Sequence, residues 1–90
     1  MSEDTIRIGR GTDNHVILFS AVVSRHHAEL RWTEIDGWQL SNISANGIYI
    51  NGEAIKTVTV ADGMVIRLAT SGPKIQIKVN SDLMGSDIVN

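Results

Sequence analysis

Arg10, Ser24, Arg25 and Asn46 share one kind of chemistry. All four donate hydrogen bonds, and the two arginines carry permanent positive charge. Such a set suits a doubly charged acceptor, for which a phosphate monoester is the simplest example. A guanidinium meets phosphate oxygens through a planar fork of N–H groups. Charge-assisted bonds of this kind are roughly twice as strong as neutral ones. A serine hydroxyl and backbone N–H groups can complete the shell. An asparagine side chain, with an acceptor and a donor end, can instead read a peptide main chain.

These residues sit in three polar clusters. Gly9-Arg10 is the first, Ser24-Arg25-His26-His27-Ala28 the second and Asn42-Ile43-Ser44-Ala45-Asn46-Gly47 the third, followed by Asn51-Gly52. Gly9-Arg10 alone reads as a turn with a solvated arginine; only the combination points to a site. The segments between the clusters must position them. Apolar residues alternate with polar ones at Ile6 to Ile8, Ala28 to Trp32, Trp38 to Ser41 and Lys74 to Val79. Period two gives each such strand one buried face. Ile48 to Ile50 and Met64 to Leu68 are further strands, and Val16-Ile17-Leu18 is a short apolar run. Asp13-Asn14, Asp36-Gly37, Asn46-Gly47, Asn51-Gly52, Asp62-Gly63 and Ser71-Gly72-Pro73 supply the turns. Strands at this spacing predict an all-β sandwich or barrel, whose loops gather at the ends. Three loops at one end would bring the four donors together.

Composition agrees. Twelve Ile, eight Val and six Thr in 90 residues outweigh five Leu and six Ala, and β-branched side chains favour pleated sheets. The length allows one domain with a modest core. With no cysteine there is neither a disulfide framework nor a Cys-ligated zinc site. The start, Met1-Ser2-Glu3-Asp4, lacks a basic n-region, and no apolar run nears the ~20 residues of a membrane span. A cytoplasmic protein with no membrane partner is the expectation. The formal charge of −2 does not call for nucleic acid.

The motifs in their order resemble the forkhead-associated (FHA) domain from about Ile6 to Val79. Ile8-Gly9-Arg10, Asp13-Asn14-His15-Val16-Ile17-Leu18, Ser24-Arg25-His26-His27-Ala28, Asn42-Ile43-Ser44-Ala45-Asn46-Gly47 with Asn51-Gly52, and Asp62-Gly63-Met64-Val65-Ile66 carry the resemblance. It implies a β-sandwich of two twisted, mainly antiparallel sheets with about eleven strands and ligand-binding loops at one apex. Residues 1–5 are then a lead-in, 6–79 the domain and 80–90 a poorly ordered tail or linker. The resemblance implies a phosphothreonine-dependent peptide-binding module, not an enzyme, with a threonine-phosphorylated protein as partner and no cofactor. Arg10 and Ser24 would contact the phosphate, and Arg25 the phosphate or the adjoining backbone. Asn46 would bond the peptide main chain. Ala45, Gly47 and His26 would border the ligand, His26 as an exposed loop residue. Gly9, His27, Asn51 and Gly52 would be structural, His27 tying loops together. The isolated domain is expected to be a monomer.

The chain departs from the family pattern in places. Ala45 stands where many members carry Thr or Ser, which removes one hydroxyl contact. Ile48 replaces a Thr, and Asn42 and Met64 replace acidic residues, expected in turns. A phosphate-independent FHA-like scaffold for protein association is the alternative reading. A metal site finds no support, since His26 and His27 are adjacent and His15 is remote. A hydrolase built on Ser24 and His27 lacks a G-x-S-x-G elbow, and a chain of this size offers little room for a substrate cleft. Asn42-Ile43-Ser44 matches a glycosylation sequon without a signal peptide to support it. Trp32 and Trp38, flanking Asp36-Gly37, are expected as a cross-strand pair rather than a base-stacking platform.

Overall fold

The computed structural model describes residues 5–79. Nearly all of the expected lead-in and the whole of the expected tail lie outside these residues. Nine strands follow in chain order: β1 (Thr5–Gly9), β2 (Val16–Ile17), β3 (Ala28–Thr33), β4 (Gly37–Asn42), β5 (Ile48–Ile50), β6 (Glu53–Ile55), β7 (Thr57–Thr59), β8 (Met64–Leu68) and β9 (Lys74–Ile77). Among the described residues the count is therefore nine rather than eleven, and no helix is present. No helix there is long and apolar enough to cross a membrane.

The strands form two sheets, one in the order β2-β1-β3-β4-β7 and one in the order β6-β5-β8-β9. Every pairing is antiparallel except that of β1 with β2. The alternation read in the sequence decides which side chains turn inward. Ile8, Ala28, Leu30 and Leu40 of the first sheet meet Ile48, Ile66 and Leu68 of the second. Val23, fully buried in the same cluster, comes from the loop between β2 and β3. One apolar loop residue driven into the core anchors the loop that carries Ser24 and Arg25 beside it.

β6 and β7 were not anticipated. Each is three residues long at the edge of its sheet, too short to show a period. The turn between β5 and β6 is Asn51-Gly52, with φ of 53° and 84°. Two positive φ values in succession are what a two-residue hairpin needs, and Asn-Gly tolerates them best. Asn42 and Met64 fall not in turns but at the last position of β4 and the first of β8.

Register fixes which loops share an end. Ile8 pairs with Ala28, Ala28 with Asn42, and Ile48 with Leu68. The end of β1, the start of β3, the end of β4, the start of β5 and the end of β8 thus face the same way. At the opposite end, Trp32 pairs with Trp38 across the β3–β4 hairpin. Their rings meet edge to face, with centroids 5.7 Å apart.

Candidate functional site

The three polar clusters converge at this shared end, which forms the apex of the sandwich. Arg10, just beyond β1, donates its backbone N–H to the Ser24 carbonyl at 2.9 Å and its side-chain Nε–H to the Val23 carbonyl at 2.9 Å. The side chain is held by Nε alone, so the N–H groups on Nη1 and Nη2 are left over. The Gly11 N–H reaches the Arg25 carbonyl at 3.1 Å. Two loops remote in sequence thus run side by side, with Arg10 and Arg25 exposed on them.

Gly9 permits that approach. A Cβ there would collide with the Arg25 carbonyl oxygen and lie 2.9 Å from Asn14 Nδ2. Asn14 is nearly buried, and its amide donates to the carbonyls of both Gly11 and Arg25 at 2.7 Å. In the sequence Asn14 is only half of a turn signal. Nothing local reveals that its amide closes a gap to a loop eleven positions away.

His27 performs the tying role expected of it. It is fully buried. Its Nδ1 accepts the Ser24 backbone N–H at 3.0 Å, and its Nε2 lies 2.7 Å from the Gly47 carbonyl. A carbonyl only accepts, so Nε2 carries the proton and the ring is the neutral Nε2–H tautomer. The same Gly47 carbonyl accepts the Ala69 N–H at 2.9 Å. One oxygen therefore joins the Ser24 loop, the β4–β5 loop and the end of β8.

The β4–β5 loop is shaped from within. Asn42 Oδ1 accepts the Ser44 N–H at 3.0 Å and the Ser44 hydroxyl at 2.6 Å. The Gly47 N–H donates to Ser44 Oγ at 2.9 Å. This Asx turn gives Asn42 a task that an acidic acceptor would also perform, and gives Ser44 one the sequence did not show. Asn46 is exposed and donates from Nδ2 to the Val22 carbonyl at 2.9 Å. That bond sets the amide beside the Ser24 loop and leaves Oδ1 and one N–H for another partner. Ala45 is exposed next to it. Asn51-Gly52 lies at the far end of β5, away from the apex.

His26 stands at the border, with Nε2 2.8 Å from Asp13 Oδ2. That bond is the main reason the Asp13 carboxyl is held below its ordinary value of 3.8. The Asp13 backbone N–H and the charges of His26 and Arg25 act in the same direction. His15 accepts the Arg7 backbone N–H on Nδ1 at 2.9 Å. Among the described residues no three His, Asp or Glu side chains gather as a metal site would require. What the apex offers is a ring of donors on loops fixed by buried polar bonds.

Comparison with known proteins agrees with this geometry. Residues 6–69 match the model of the FHA domain. The chain is 35% identical over 63 residues to the ABC transporter ATP-binding/permease protein Rv1747 of Mycobacterium tuberculosis, covering 70% of this chain and 7% of that protein. It is 38% identical over 77 residues to the transcriptional regulatory protein EmbR of the same organism, covering 83% of this chain and 20% of EmbR. The chain thus spans at most a fifth of these relatives. A structure of EmbR in complex with a low-affinity phosphopeptide superposes with a TM-score of 0.73 at 35% identity, over 84% of this chain and 20% of that one. An FHA domain solved in work on phosphothreonine-dependent FHA interactions gives 0.73 at 36% identity, over 83% of this chain and 76% of that one.

Proposed function

The chain belongs to the FHA domain family, and from that premise we propose that it is a phosphothreonine-dependent protein-interaction module whose ligand occupies the apex. The observation that carries the site is the convergence of Arg10, Ser24, Arg25 and Asn46: the Val23 and Val22 carbonyls hold the Arg10 and Asn46 side chains, and His27, Gly11 and Asn14 hold the Ser24 and Arg25 backbone. EmbR, 35% identical over the aligned region, was solved in complex with a phosphopeptide, and an FHA domain 36% identical over the aligned region in work on phosphothreonine-dependent interactions.

The mechanism is electrostatic capture. A phosphate of charge about −1.5 to −2 meets the Arg10 and Arg25 guanidinium groups and the Ser24 hydroxyl. The loop bonds fix the Arg10 side chain and the backbone of Ser24 and Arg25 before the ligand arrives, which lowers the ordering cost of binding. Asn46 fixes the adjacent peptide main chain with the part of its amide not used by Val22. A buried threonine methyl is worth only about 1 kcal/mol, so preference for threonine over serine also depends on how the apex orients the phosphate. Ala45 supplies no hydroxyl, and the affinity is accordingly modest, on the order of micromolar or about −8 kcal/mol. It weakens with salt, because the charges are exposed and screened. Thr5, expected in the lead-in, opens β1 and belongs to the folded unit, which runs on to residue 79 because β9 completes the second sheet beyond the residues that match the family model. It binds as a monomer and performs no catalysis. The transport and regulatory activities of the longer relatives are not carried over.

The test is an NMR titration of the labelled domain with phosphothreonine, phosphoserine and unphosphorylated peptide pools. Shifts confined to amides around Arg10, Ser24 to His26 and Ala45 to Gly47, with phosphothreonine only, are expected. Arg25→Ala is expected to abolish most binding with the fold intact. Equal binding by that variant would show the site to be elsewhere. Association with a partner that survives phosphatase treatment would favour the phosphate-independent scaffold.

A further inference from the structure

A cavity of about 450 Å³ lies on the outer face of the second sheet, away from the core. Tyr49, Arg67, Thr70 and Lys74 line it, and no carboxylate is among its walls. Tyr49 pairs with Arg67 across β5 and β8, and Arg67 with Lys74 across β8 and β9. The three side chains therefore form one rung. Two cations directly opposite each other repel, an arrangement that sheets otherwise avoid.

Neither cation has an acidic partner among the described residues. Among the described residues the ion pairs are Arg7 and Arg31 with Glu29, and His26 with Asp13. Arg67 Nη1 reaches the Thr70 carbonyl at only 3.4 Å, and its Nε is buried without an acceptor. The remaining N–H groups on the Arg67 Nη atoms and the exposed Lys74 ammonium, with no acidic partner among the described residues, are what an anionic group in this concave site would complete.

The Tyr49 wall of the cavity lies beside Gly47 of the apex, and Asn51 and Gly52 line its other side. A Cβ on Gly47 would lie 3.0 Å from the Tyr49 ring and 3.1 Å from its hydroxyl. Ala69, next to Thr70, donates its N–H to the Gly47 carbonyl. A peptide leaving the apex past Gly47 meets the Tyr49–Arg67–Lys74 rung.

We propose that this cavity binds an anionic side chain of the same peptide whose phosphothreonine occupies the apex, with Arg67 and Lys74 clamping its oxygens. The inference rests on the apex reading and deepens it. The acidic group is an Asp or Glu carboxylate or a second phosphate, two sources of one chemistry.

The experiment measures affinity for a set of phosphothreonine peptides in which each flanking position is in turn Ala, Asp or phosphoserine. Asp at one flanking position is expected to bind about tenfold tighter than Ala, about 1.4 kcal/mol. Lys74→Gln and Arg67→Gln are each expected to bring that ratio close to one, and Arg67→Lys to restore part of it. Lys74 is exposed on an edge strand, so K74Q carries the test if R67Q folds poorly under thermal unfolding. A larger gain with phosphoserine than with Asp at the same position assigns the second phosphate as the source. A flat profile in the wild type with phosphothreonine binding intact, or an Asp preference that survives K74Q, overturns this inference alone. Absence of binding to every phosphopeptide overturns it together with the apex reading.

Discussion

The two ends of the sandwich are held by different kinds of bond. The tip of the β3–β4 hairpin is closed by local contacts. The Asp36 N–H donates to Thr33 Oγ1 at 3.0 Å, that hydroxyl donates to the Gly37 carbonyl at 3.2 Å, and Trp32 packs on Trp38. At the apex the bonds that join separate loops link partners 11 to 24 positions apart, from Asn14 with Arg25 to Asn46 with Val22. Local bonds form with the hairpin and depend on little else. Long-range polar bonds hold only while the entire fold is in place, but they can set donors from separate loops at fixed spacing. A binding surface assembled from three loops needs the second kind.

His27→Ala is the sharpest probe of this contrast. It removes two buried bonds and leaves an empty site, at a cost of about 3–4 kcal/mol in urea unfolding, and it is expected to abolish phosphopeptide binding. Gly9→Ala comes next. The new Cβ forces the Arg25 carbonyl aside, with an expected loss of about 1–3 kcal/mol and weaker binding. Trp32→Ala at the other end is expected to lose about 1–2 kcal/mol while phosphopeptide affinity stays at the wild-type value. An effect of W32A on affinity would mean that the two ends are coupled, and the contrast would fail. The smallest effect concerns the Asp13–His26 pair on the apex rim. The lowered Asp13 pKa means that its stabilising contribution is complete above the ordinary 3.8 and is lost as pH falls through the lowered folded value. NMR titration should place the Asp13 carboxyl midpoint below 3.8, and His26→Ala should move it back up.

The same division explains what the sequence disclosed. Strands with a buried face announced themselves through alternation, as at Ala28 and Leu30, although Trp32, next in that alternation, is exposed beyond the core. The Trp32–Trp38 pair followed from the turn between them. His27 was legible as a loop tie through the family motif, and its partners became clear only in three dimensions. Asn14 and Ser44 were not legible, because their work is done by amide and hydroxyl groups whose acceptors and donors are set by loop geometry. β6 and β7 escaped because three residues at a sheet edge carry no period. The Arg67–Lys74 rung was hidden for another reason: register across a hairpin places them side by side, and neither residue belongs to a polar cluster.

The Gly47 carbonyl, shared by His27 and Ala69, has a consequence for the order of events at the ribosome. Every residue assigned to the phosphate lies before Gly47, yet the oxygen that locks their loops waits for Ala69. A nascent chain that has emerged only through β7 already displays both arginines but has only the β5–β6 hairpin of the second sheet to hold them in register. Non-local pairings form late, and domains generally fold as units during synthesis. Recognition of phosphate is thus expected to switch on only once β8 has cleared the exit tunnel, so an incomplete chain cannot sequester a phosphorylated partner.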